Sequence, residues 1–391
     1  MMKTVKNGYP IVFVHGMFGW GQNEGINRKV PYWGATAGSI TDCLMNEGIE
    51  CYAASVGPMS SAWDQACELY AQLTGTRVDY GEAHSKKHNH KRYGRTYDRP
   101  LFEGWSKEKK VHLIGHSFGG NSIRMLTHLL TNGAPEETEI SGDDVSPLFR
   151  GGKEELVCSV TAICSPLNGT QAYETAKKYK LVPILKFFAY NYAGIAGRSE
   201  LGKKIADFHL EQFGLSDSPD KKDSEPFAKA VRAMFETDDC IAYDMTDDGA
   251  AVMNGRIRIS PSVYYFSYPY NAVEKTADGK KDRPVNTDFI LMKATSSLML
   301  HDNRKNGKET VGNDGLVDVD SARYPKSEPF EEFTENNALK SGVWNVMPTK
   351  TGDHGTPIGL FADKAETRAF YENHLLLLLS IEKKFTHESE I

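Results

Sequence analysis

The sequence predicts an α/β fold with a mostly parallel central sheet and helices on both of its faces. Short apolar runs alternate with longer segments of helical periodicity, the pattern of strands joined by helical crossovers. Several runs are continuously apolar, as in Ile11-Val12-Phe13-Val14, which is what a strand buried on both faces requires. At one strand–helix junction, Gly115-His116-Ser117-Phe118-Gly119 sets small residues on both sides of a serine.

The elements follow in order. Ile11 to Val14 is β-branched and aromatic, a strand. Ala35 to Asn46 reads as a helix, Glu50 to Val56 as a second strand, and Ala62 to Leu73 as a second helix. Val111 to Ile114 is a third strand, followed at once by a helix from about Phe118 to Leu130. Leu156 to Ile163 is a fourth strand, Val263 to Phe266 and Val343 to Val346 are later ones, and Lys364 to Lys384 closes the chain as a helix. Two regions interrupt the alternation, about 60–101 and about 169–253. In the first, Gly75 to Leu101 is polar, with His, Lys, Arg and Tyr interleaved; the second is long and helical. Both read as insertions on one domain, 1–391, although length alone suggests two or three units. Asp217 to Glu225 (DSPDKKDSE) is a solvated loop.

Composition excludes several classes. The net charge is −6, so the basic excess of a nucleic-acid binder is missing. With 40% hydrophobic and 25% charged residues the chain is neither disordered nor low-complexity. Six cysteines without a C-x-x-C pair read as free thiols, with a Cys43–Cys51 bridge conceivable only on export. No transmembrane span is predicted, since the longest apolar run near the end is Leu375 to Ile381. The first ten residues lead into no signal-type core, so either the protein stays inside or this is a mature form, and localisation stays open.

The motif Gly115 to Gly119 has the context that gives G-x-S-x-G its chemical meaning. A tight strand-to-helix turn lifts the Ser117 hydroxyl out of the sheet, and the helix N-terminus behind it favours developing negative charge. An oxyanion hole needs two backbone N–H donors. The amide of Phe118, just after the nucleophile, is one; the amide of Met17, in the loop after the first strand, is the other, with His15 packing beneath that loop. The serine needs a base. Among the later histidines, His128 and His374 fall in helical patterns, His387 in the tail, His209 in an insertion, and His301 ahead of the acid. That leaves His354, on a loop after a strand. For the orienting carboxylate, Asp314 sits in an Asn-Asp-Gly turn and is modestly preferred, with Asp318 the alternative and Asp320 beside it. His84, His88 and His90 cluster within seven residues, preceded by Asp64 and Asp79. This is a zinc-like set of ligand types, although the flanking lysines also suit a hydrated basic loop. Leu181 to Tyr190 is very apolar for an insertion, and reads either as a core helix or as a mobile lid over Ser117.

Taken together, PIVFVHGMFGWG (10–21), YWGA (32–35), SAWDQACELY (61–70), VDYGEAHSKKHNHKRYGRT (78–96), GHSFGG, SPLNGT (165–170), AYDM (242–245), NDG (313–315) and Asp353-His354 resemble the bacterial true lipases of the thermoalkaliphilic Geobacillus and staphylococcal group, and their clostridial esterase relatives. The resemblance runs through most of the chain. It implies an α/β-hydrolase fold, a Ser117–Asp314–His354 triad that selects Asp314 over Asp318, and Met17 and Phe118 as oxyanion donors. It implies a structural zinc held by Asp64, His84, His90 and Asp239, with His88 a neighbour and AYDM setting the register between Asp238 and Asp239. It also supports a lid at 181–190. Two departures stand out. The family often has Phe where Met17 stands, a change that a backbone donor tolerates. Lipases of the group commonly bind calcium through acidic residues just after the histidine, whereas Gly355, Thr356 and Pro357 follow here, which argues against calcium. The expected activity is hydrolysis of acylglycerols or similar apolar esters through an acyl-enzyme, at a lipid–water interface if the lid opens. The alternatives are an esterase for short or polymeric esters, a hydrolase using the zinc directly, and a non-catalytic binding module.

Overall fold

Seven strands form one sheet in the order Phe330–Glu332, Trp344–Val346, Tyr264–Tyr268, Val157–Ile163, Val111–His116, Ile11–Val14 and Cys51–Ala54, and every neighbouring pair is parallel. The computed structural model describes residues 6–172, 175, 209, 211–213, 237–275, 282–305 and 312–388. The first strand lies inside the sheet, where Phe13 pairs with Ala53 on one side and Ile114 on the other. The loops after Ile11–Val14, Val111–His116 and Val157–Ile163 therefore lie side by side at the carboxyl edge, where ligands bind in open parallel sheets.

Side-chain alternation divides the core in two. Val12, Val14, Leu113 and Val160 pack with Trp63, Leu69, Ile123, Leu126 and Leu129 of the helices Ala62–Thr74 and Gly119–Asn132. Ile11, Phe13, Ile114, Ile163 and Phe266 pack with Ile40 and Leu44 of Ile40–Asn46 and with Tyr371, Leu375 and Leu378 of Lys364–Glu388. Each fully buried apolar side chain of this size contributes roughly 1.5–3 kcal/mol against the ordering entropy of the chain. Helix ends follow local chemistry: the Ser61 hydroxyl caps Ala62–Thr74 by accepting from the Asp64 amide at 3.2 Å, and Gly75, at φ 65°, terminates it.

Three features differ from the sequence pattern. The first helix begins at Ile40 and not at Ala35, because Gly34 and Gly38 have φ of 114° and 99° and their segment bonds instead to Ile358 and Gly359. The polar stretch after Gly75 contains an antiparallel ribbon, Arg77–Asp79 with Tyr93–Thr96, enclosing a short helix Glu82–His88. Phe330–Glu332 is an edge strand of three residues, too short to announce itself by periodicity. The apolar stretch 181–190 and the loop 217–225 lie outside the described residues. All six cysteines are free thiols. No helix among the described residues is long and apolar enough to cross a membrane.

Candidate active site

Ser117 sits between the strand Val111–His116 and the helix Gly119–Asn132 with φ of +54°, a left-handed conformation that costs a non-glycine residue about 1–3 kcal/mol. The neighbouring glycines make that turn possible. A Cβ on Gly119 would stand 2.2 Å from the Val14 carbonyl oxygen, and one on Gly115 would stand 2.4 Å from Gly119 itself. The Ser117 amide donates to the Ile163 carbonyl at 2.8 Å, pinning the turn to the next strand.

His354 lies on the loop that follows Trp344–Val346 and Lys350–Thr351. Its Nδ1 is 2.8 Å from Asp314 Oδ2, and its amide donates to the Asp314 carbonyl at 2.7 Å. Because a carboxylate only accepts, Nδ1 carries the hydrogen, and in the neutral ring the lone pair therefore falls on Nε2. The other Asp314 oxygen accepts from the Leu316 and Val317 amides, at 2.9 and 2.7 Å. Asp318 instead stands at the start of the helix Val319–Arg323, four residues along the same turn. The local sequence leaves these two carboxylates open, and only Asp314 reaches His354. Cys164, which follows the strand Val157–Ile163, lies beside Asp314; burial, and then that carboxylate, hold its thiol well above the ordinary range. Asp353, next to His354, accepts from four amides, those of Asp288, Phe289, Gly355 and Thr356, and so braces the loop.

The loop after Ile11–Val14 presses on the serine. A Cβ on Gly16 would be 2.6 Å from Ser117 Cβ. Phe18, at φ 57°, donates its amide to the Pro58 carbonyl at 3.2 Å. Among the described residues, neither the Met17 nor the Phe118 amide donates a hydrogen bond. His15 is buried beneath the loop: its Nε2 accepts from the Val56 amide at 3.3 Å, and burial pushes its pKa down to about 4, so it stays neutral.

A second cluster lies at the insertion. Asp64 comes from the helix Ala62–Thr74, His84 from Glu82–His88, His90 from the turn after it, and Asp239 from a segment 155 positions beyond His84. His84 Nε2 is 3.3 Å from Asp64 Oδ1 and 3.1 Å from Asp239 Oδ2, and His90 Nε2 is 3.2 Å from Asp239 Oδ2. Ligands about 2.0 Å from a tetrahedral ion are about 3.3 Å from one another, so these separations leave room for one small cation. The carboxylates are buried, and burial followed by the charge of Asp239 pushes the Asp64 carboxyl up, a penalty that a cation would relieve. These residues could hold a metal ion. Asp238 turns away to His88, at 3.0 Å, so neither belongs to the cluster. Glu137 accepts from the His84 amide, and Gln212 donates to Asp64 Oδ2 at 3.0 Å. His116, Cys164 and His354 also group together. There, however, the His354 Nδ1 is spent on Asp314 and the thiol is held protonated, which makes a poor ligand set.

Sequence reading did not assign Tyr32, His116, Gln212 or Cys164 to any site. Tyr32 stood inside a recognised motif without a role, and Gln212 carries no local signal.

A lipase of Staphylococcus epidermidis is 35% identical over 372 residues, which is 94% of this chain and 52% of that protein; the chain thus spans about half the length of this relative. The crystal structure of Staphylococcus hyicus lipase superposes with a TM-score of 0.80 at 31% identity, covering 97% of each chain. EstA from Clostridium botulinum superposes with a TM-score of 0.76 at 32% identity, covering 96% of this chain and 88% of that one. The fold is thus shared with a solved lipase along nearly the whole chain, and from residue 7 to residue 385 the chain belongs to the lipase-like, C-terminal domain family.

Proposed function

We propose that this protein is a serine carboxylic-ester hydrolase of the lipase type, cleaving acylglycerols or similar apolar esters. The observation that carries this reading is the His354–Asp314 pair, whose imidazole lies 4.8 Å, centroid to centroid, from the ring of His116, the residue that precedes the strained Ser117 turn. Ser117 Oγ attacks the ester carbonyl while His354 Nε2 takes its proton. Asp314 holds the ring in that tautomer and stabilises the imidazolium. The Met17 and Phe118 amides receive the oxyanion. His354 then protonates the leaving alcohol, and water, activated by the same ring, releases the acid from the acyl-enzyme.

Asp64, His84, His90 and Asp239 are proposed as ligands of a structural zinc. Four protein ligands would close the coordination shell of such an ion, which would supply cross-linking and not chemistry, joining the insertion at 60–101 to the segment that carries Asp239. The whole chain is read as one domain with two insertions; the apolar stretch 181–190, expected from the sequence to act as a lid, lies outside the described residues.

The test is turnover of p-nitrophenyl esters and triglycerides of graded chain length. Ser117→Ala should abolish turnover while keeping the fold, and retained turnover refutes the assignment. Activity confined to the shortest chains would replace the lipase reading with that of a short-chain esterase.

A further inference from the structure

We propose that Tyr32 and His116 are positioning residues that hold the oxyanion loop and the catalytic base in one fixed geometry through an unbroken hydrogen-bond relay. This rests on the reading of Ser117, Asp314 and His354 as a triad.

Three contacts make the relay. The Gly16 amide donates to Tyr32 Oη at 3.0 Å, Tyr32 Oη is 2.7 Å from His116 Nδ1, and His116 Nε2 is 2.9 Å from the His354 carbonyl oxygen. Tyr32, His116 and His354 are all buried. The ends fix the direction of every proton. The Gly16 amide can only donate, and the His354 carbonyl can only accept. His116 Nε2 therefore carries a hydrogen. Burial, and then the neighbouring His354 ring, hold the His116 imidazole well below its ordinary range, so it is neutral and Nδ1 is a lone pair. The Tyr32 hydroxyl, kept protonated by burial, must then donate to it. One arrangement satisfies every group, and no atom of the relay is left over.

The two ends lie at the loops that need mutual alignment. Gly16 precedes Met17, the proposed oxyanion donor, and its Cα faces Ser117. The other end is the base. With the relay in place, the His354 peptide is held on both sides, its N–H by Asp314 and its C=O by His116, while its ring is held by Asp314. His116 is also the chain neighbour of Ser117, so nucleophile, base and oxyanion loop share one brace. Packing alone does not need this: Tyr32 already meets Trp20 and Trp33 edge to face, with ring centroids 5.6 and 5.5 Å away, and Phe would serve as well.

The experiment compares Tyr32→Phe, His116→Gln and His116→Leu with the wild-type chain. Reactive serine is titrated with diethyl p-nitrophenyl phosphate, and kcat and KM for p-nitrophenyl butyrate are expressed per labelled site. Tyr32→Phe and His116→Leu should lower kcat by about tenfold to a hundredfold with little change in KM, since misplacement of reacting groups costs rate and not binding. His116→Gln, whose amide can accept from Tyr32 and donate to His354 across the same span, should retain most of the wild-type kcat. The double variant Tyr32→Phe/His116→Leu should be no worse than the single ones, because both break the same relay. Unchanged kcat per labelled site in Tyr32→Phe, even with a lowered melting temperature, overturns the relay. So does His116→Gln failing as badly as His116→Leu. A wild-type chain that does not label at Ser117 overturns the triad, and this proposal with it.

Discussion

Replacing Gly16 with alanine tests the site where the geometry is tightest. The new methyl carbon would lie 2.6 Å from Ser117 Cβ, 3.0 Å from the His116 carbonyl oxygen and 3.1 Å from Ser117 Oγ. Carbon atoms in contact stand about 3.5–4.0 Å apart, so something must move by about 1 Å. The serine has nowhere to retreat: its amide is bonded to Ile163, and Gly119 behind it already lies against the Val14 carbonyl. The methyl therefore displaces either Ser117 or the loop that carries Met17, and both displacements separate the proposed nucleophile from the proposed oxyanion donors. Overpacking of this kind costs about 1–3 kcal/mol of stability. A misplacement of about 1 Å costs on the order of a hundredfold in rate. The assay is kcat for p-nitrophenyl butyrate per labelled serine, alongside a melting curve. Gly255→Ala serves as the control, because a Cβ there meets nothing within 4 Å. A Gly16→Ala protein that keeps its full kcat per labelled site would refute the close approach of this loop to Ser117.

Two further outcomes follow from buried groups. Elemental analysis of carefully prepared protein should find one zinc per chain. Its removal by a chelator should lower the melting temperature, with activity decaying only as the fold opens; immediate loss from a still-folded protein would contradict a structural ion, and metal-free protein of normal stability would eliminate the site. Acid should destabilise the fold through His374, which bonds to Thr161 and Tyr268 and whose pKa burial lowers to about 3. The unfolded chain takes up this proton near pH 6.5, so the unfolded state binds more protons and stability falls from about pH 6.5 towards pH 3, by up to about 1.4 kcal/mol per pH unit. Melting curves of His374→Gln should show a shallower pH dependence than the wild type; identical slopes would show that His374 carries none of it.

Much of this site could be read from local pattern. The Ser117 turn is legible because its chemistry demands small residues at fixed offsets from a strand and a helix. His354 stands out as the candidate base because the other histidines after Ser117 fall in helical patterns, an insertion or the tail, or precede the acid. Other parts resisted such reading. Asp314 and Asp318 occupy one acidic turn, and nothing within that turn says which of them faces a loop forty residues on. Asp238 and Asp239 are adjacent in the same way, and their opposite orientations, one to His88 and one to His84 and His90, depend on a distant helix and the turn after it. Tyr32 and His116 meet across 84 positions, and a tyrosine in a loop carries no sign of its partner.

Periodicity and composition thus determined most strands of the sheet and the long helices, because side-chain burial repeats with the geometry of each element. They also single out Ser117 as the candidate nucleophile, because its turn is a local steric problem. Sheet order was left to the tertiary structure. Strand Ile11–Val14 lies between Cys51–Ala54 and Val111–His116, and that placement brings Gly16 against Ser117. Strand neighbours are selected by long-range packing and loop closure, which no window of sequence contains, so the meeting of Gly16, Ser117, Asp314 and His354 exists only once the whole sheet is assembled.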